Sequence, residues 1–117
     1  MTFGRVALLC AASAFLACPA PGEGAKAERG YRRAAPVIAA LQRFHATTDS
    51  YPQSLLTLIP QYLDSAAAPA AIETQESPLG YVRSARDFEL SFRYGGPGIN
   101  ECTYRSVTGL WKCSGHF

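Results

Sequence analysis

The chain has 117 residues, 48% of them hydrophobic and 17% charged, with 11 Lys+Arg against 9 Asp+Glu for a net charge of +2. That length accommodates one domain and excludes a two-lobed enzyme with a cleft between lobes. No block of Lys and Arg forms the footprint expected of a nucleic-acid-binding protein, and the aromatic content suffices for a packed core.

Met1–Ala17 places one positive charge, Arg5, ahead of an uninterrupted apolar or small run from Val6 to Ala17. A helix over that run rises only about 18 Å, short of the roughly 30 Å hydrocarbon core, so residues 1–17 fit an export signal better than a membrane span. The following Phe15-Leu16-Ala17-Cys18 resembles a bacterial lipobox. The resemblance implies cleavage before Cys18, lipidation of its thiol and anchoring of an exported, periplasmic protein at a membrane. Cleavage after Ala20, leaving a soluble periplasmic chain, and an uncleaved anchor are the alternatives.

Of the four cysteines, Cys10 lies in the signal and Cys18 is the lipidation candidate. Cys102 and Cys113 remain as an even pair in an exported chain, where disulfides persist. Pro19–Gly30 is rich in Pro, Gly, Ala and charge without apolar periodicity, so residues 18–30 read as a tether and 31–117 as one globular domain. In Tyr31–Thr48, Tyr31, Ala34, Ile38, Leu41 and His45 step by three or four, with Val37 and Phe44 widening the stripe. The spacing predicts an amphipathic helix from about Tyr31, disturbed near Pro36. Pro52 presets a turn, Ser54 caps a short helical turn carrying Leu55, Leu56, Leu58 and Ile59, and Pro60 ends it. Ser65–Ser77 reads as an irregular connection.

From Leu79 the period becomes two. Phe88, Leu90, Phe92 and Tyr94 alternate with Glu89, Ser91 and Arg93, which predicts a strand with one wet face, preceded by an antiparallel partner at Tyr81-Val82-Arg83. Gly95, Gly96, Pro97, Gly98, Ile99 and Asn100 interrupt the sheet and form a candidate partner-binding loop. Pairing Cys102 with Cys113 sets Thr103 against Lys112, Tyr104 against Trp111 and Arg105 against Leu110, leaving Ser106–Gly109 as the hairpin loop. Cys102, Tyr104, Trp111 and Cys113 then share a face. The predicted fold class is α+β: an N-terminal amphipathic helix packed on a small antiparallel sheet, closed by a C-terminal disulfide hairpin.

Ala40, Leu41 and Phe44, followed by Tyr51-Pro52-x-Ser54-Leu55-x-x-Leu58-x-Pro60-x-Tyr62-Leu63 and a small sheet, resemble the globular part of type II secretion pseudopilins and type IV pilin-like proteins. The resemblance covers about Val37–Tyr94, or reaches Phe117 where Cys102 and Cys113 mirror the C-terminal disulfide common in the family, and implies a pilin-like head. The family's processing site and its spanning helix of about twenty apolar residues are absent from the sequence, and Glu73 and Glu76 supply too few oxygens for its calcium loop. The expectation is therefore the fold without the polymerising function.

The polar residues suggest little chemistry. No G-x-S-x-G motif accompanies His45 or His116. Cys102, Cys113 and His116 match no standard zinc spacing. Glu89 and Glu101 alternate with core positions as solvated strand charges do. Lys26, Arg29, Arg32 and Arg33 could meet anionic headgroups, but a solvated helix start with Glu23 and Glu28 in attendance is the preferred reading. The expected function is that of a non-catalytic envelope protein, without cofactor or metal. It would be anchored to a membrane through Cys18 and bind a protein partner of a secretion, pilus or envelope assembly. A small periplasmic enzyme or enzyme inhibitor is the alternative.

Overall fold

A computed structural model describes residues 20–66, 68, 79–96 and 98–116. The signal segment, Cys18, most of the 65–77 connection and Pro97 lie outside these residues. The architecture is one N-terminal helix, α1 (Ala25–Thr48), packed on a four-stranded antiparallel sheet of β1 (Gly80–Arg83), β2 (Phe88–Gly95), β3 (Ile99–Arg105) and β4 (Leu110–His116). The strands follow one another in the order β1-β2-β3-β4, each hairpin-linked to the next. This is the α+β arrangement expected from the sequence.

The helix begins six residues earlier than the sequence suggests, so residues 25–30 are not tether. Ala27 and Gly30 are buried, and the buried stripe runs Ala27, Gly30, Ala34, Val37, Ala40, Leu41. Small side chains at a three-four spacing let the backbone approach the sheet closely, whereas Tyr31, Ile38, Phe44 and His45 flank that line and are half-buried. Pro36 lies inside the helix on its exposed side. It lacks the N–H that would bond the Arg32 carbonyl, and water can serve that group at the surface. The helix stops at Asp49, whose left-handed backbone (φ 62°) lets its N–H donate to the His45 carbonyl at 2.8 Å.

After the helix, Ser54 Oγ accepts from the Leu56 N–H and caps a single 3-10 turn, Leu55–Leu58, as its sequence predicts. Leu55 and Leu58 enter the core and Leu56 faces outward.

Alternation sorts the sheet into two faces. Phe88, Leu90, Phe92 and Cys102 are buried beneath α1, with Tyr94, Tyr104 and Trp111 half-buried around them. Glu89, Arg93, Arg105 and Lys112 point to the other, exposed side. The β3–β4 register is the expected one: Cys102 opposite Cys113, Thr103 opposite Lys112, Tyr104 opposite Trp111, and Arg105 opposite Leu110. The Cys102–Cys113 disulfide joins residues whose Cα atoms are 4.1 Å apart.

The helix lies along the axis of the strands. Lys26 reaches Gly95, Gly30 rests on Phe92, and Tyr51, just past the helix, stacks edge-on against Phe88. Thus α1 runs antiparallel to β2. The helix start and the β2–β3 turn occupy one end of the molecule; the turns around Ser84–Asp87 and Ser106–Gly109 occupy the other.

Candidate functional site at the N-terminal end of the sheet

The glycine-rich loop is tighter than the sequence suggests. Gly95 still belongs to β2, and Ile99 and Asn100 already belong to β3, where Gly95 opposes Ile99 and Tyr94 opposes Asn100. Gly96 (φ 79°) and Gly98 (φ 69°) take left-handed backbone that favours glycine, and the Gly96 N–H donates to the Gly98 carbonyl at 2.7 Å. Asn100 is buried, so its side chain is not on offer to a partner. Ile99 is the opposite case: 60% of its surface is exposed at the tip.

A second segment converges on this end. Ala20–Gly24 folds into a turn, with the Glu23 N–H donating to the Ala20 carbonyl at 3.0 Å. Gly22 at its centre is fixed from two sides. Its N–H donates to the Tyr94 hydroxyl at 2.8 Å, and its carbonyl accepts from the Tyr31 hydroxyl at 2.9 Å. Lys26 Nζ donates to the Gly95 carbonyl at 2.8 Å and ties the helix start to the end of β2. Glu23, Lys26, Tyr94, Gly96 and Asn100 line a shallow cavity of about 150 Å³ between the segment and the turn.

The disulfide sits under the same segment. The Tyr31 hydroxyl lies 3.3 Å from Cys113 Sγ and 3.8 Å from Cys102 Sγ. A Cβ added at Gly22, whose φ is +90°, would fall 2.7 Å from Cys113 Sγ, so glycine suits both the conformation and the space. The Tyr31 ring meets Phe92 edge-on at 5.5 Å and Trp111 at 5.0 Å. Burial raises the Tyr31 phenol above its ordinary pKa, with lesser contributions from Tyr94 and Glu28. Tyr31 therefore links the helix, the disulfide and the N-terminal segment. The sequence shows its place on the helix but not these long-range partners.

The other polar candidates lie away from this end. His45 stacks on Tyr51 with ring centroids 4.4 Å apart, at the far end of the helix. Glu101 accepts from Arg93 Nε at 2.6 Å on the exposed face. Glu89 sits opposite Arg105, whereas Glu101 sits opposite Arg93. The two glutamates occupy register positions four residues apart on neighbouring strands, yet both line one shallow cavity of about 260 Å³ with Thr103, Arg105 and Lys112 on the exposed face, where Glu101 is held by Arg93. Cys102 and Cys113 are bonded to each other and leave no thiolate for a metal. Of the basic group, Arg29 and Arg32 are exposed, Arg33 is half-buried, and Lys26 is engaged as described.

Comparison with protein-family models, with curated proteins and with solved structures finds no match for this chain.

Proposed function

We propose that the chain is a non-catalytic protein of the cell envelope: an exported, lipid-tethered, pilin-like head that binds a protein partner of a secretion, pilus or envelope assembly. The Cys102–Cys113 disulfide carries this reading, because it lies within the packed core face of a chain headed by an export-type leader. His45 lies on the helix side of the sheet, away from Glu89 and Glu101 on the exposed face, and Glu101 is engaged by Arg93, which supports a binding role over an enzymatic one.

The exposed sheet face offers the partner surface. At one register Val82, Glu89, Arg105 and Leu110 cross all four strands in a row. Val82 and Leu110 are each 67% exposed, and Val107 in the adjoining turn is 61% exposed. An apolar margin around opposite charges on neighbouring strands suits a protein partner.

The test is affinity purification of the full chain from its own envelope, followed by titration with the purified partner. Saturable binding that Leu110→Asp abolishes without lowering the melting temperature supports the proposal. Turnover of a small molecule that His45→Ala abolishes contradicts it.

A further inference from the structure

The 18–30 stretch reads as a tether in sequence, but the structure packs residues 20–30 against the sheet. Ala20 is held in a turn whose next residues are bonded to Tyr94 and Tyr31. Only two peptide links separate Cys18 from Ala20, and two links reach at most about 7 Å. Resting on the lipidated Cys18 proposed above, this short reach keeps the end of the head that carries Ala20 within about 7 Å of the anchored residue, and so beside the bilayer.

We infer that the end formed by Gly96, Gly98, Ile99 and the start of α1 is a lipid-contacting surface, on which the head stands upright. Ile99 projects there as a large exposed apolar side chain. Gly95–Ile99 contains no Asp or Glu, and the exposed Glu23 and Glu28 at the helix start are balanced by the exposed Lys26 and Arg29, so this end carries no net negative charge to oppose anionic headgroups. The eight residues of β2 span roughly 26 Å away from that end, carrying Ser84–Asp87 and Ser106–Gly109 out of headgroup reach. The glycine-rich turn, a partner-binding candidate in the sequence, thereby becomes the foot of the molecule. The Val82–Leu110 row, near the opposite end, is presented outward to protein.

The experiment uses the full chain, made in a bacterial host with its own leader and reconstituted into phosphatidylethanolamine–phosphatidylglycerol vesicles containing a headgroup nitroxide lipid. Ile99→Cys and Thr108→Cys, both at exposed positions, are labelled separately with an environment-sensitive fluorophore. Each variant is first checked for folding by circular dichroism and for acylation by intact mass. Quenching at least threefold stronger at position 99 than at 108 supports the inference. Equal or reversed quenching in a chain whose mass shows acyl groups on Cys18 overturns the upright orientation alone. A mass without acyl groups overturns the lipid tether, and the orientation with it. Independently of labelling, slower amide exchange at Gly96 but not at Gly109 on adding unlabelled vesicles supports it, and equal slowing contradicts it.

Discussion

Gly30 lies so close to the ring of Phe92 that a Cβ at that position would fall 2.1 Å from Cε1. Phe92 is itself buried and braced edge-on by Tyr31 and Trp111, so the ring has nowhere to move. A glycine inside a helix ordinarily costs about 1 kcal/mol relative to alanine. Here the close approach of α1 to β2 requires it. Gly30→Ala should destabilise the fold by about 1–3 kcal/mol despite its better helix propensity. Urea denaturation measures this; a stabilised variant would show that the helix does not rest on Phe92.

Tyr31→Phe keeps the ring contacts and removes the hydroxyl that bonds the Gly22 carbonyl. The expected loss in global stability is about 0.5–1.5 kcal/mol. The sharper readout is local: amide exchange at Gly22 and Glu23 should accelerate at least tenfold while β2 and β3 amides change little.

The disulfide closes a short loop, with 11 residues of sequence separation. The chain-entropy treatment assigns it about 3 kcal/mol. Replacing Cys102 and Cys113 together by Ser should lower stability by about that amount and speed exchange in Ala20–Gly24, because Cys113 packs against Gly22. Thiol titration of the native protein should find neither Cys102 nor Cys113 reactive until a reductant is added.

Alkaline pH should unfold the domain through its tyrosines. Tyr81 donates to the Pro52 carbonyl at 2.6 Å, and burial pushes its pKa up from 10.0 to about 12. Tyr31 and Tyr51 shift in the same direction, also by burial. Between pH 10 and about 12 the unfolded chain releases a proton that folded Tyr81 retains, so stability falls as pH rises across that window. Below pH 10 the contribution is complete. Tyr81→Phe should flatten the fall in melting temperature over this range.

The strands and their pairing were legible because period-two alternation is a local signal and two cysteines fix a hairpin register. The Ser54 cap and its short turn were legible for the same reason: the partners lie within a few residues. The start of the helix was hidden. Ala27 and Gly30 bury almost no side chain, so no apolar periodicity marks them, yet with Ala34, Val37 and Leu41 they continue a three-four spacing of small residues into the core. That spacing was the available signal, masked by neighbouring Pro, Gly and charge. The anchoring of Gly22 by Tyr94 and Tyr31 was not legible at all, because Tyr94 lies 72 residues from its partner. Equally, Gly95, Ile99 and Asn100 read as loop because glycine and proline mark a break without showing how narrow the turn is.

Intact mass of the chain isolated from the membrane fraction tests the account most directly. The account predicts a species beginning at Cys18, carrying acyl chains, with Cys102 and Cys113 oxidised. A chain that retains residues 1–17, one that begins after Ala20 without lipid, or one in which both downstream thiols are free, would contradict it.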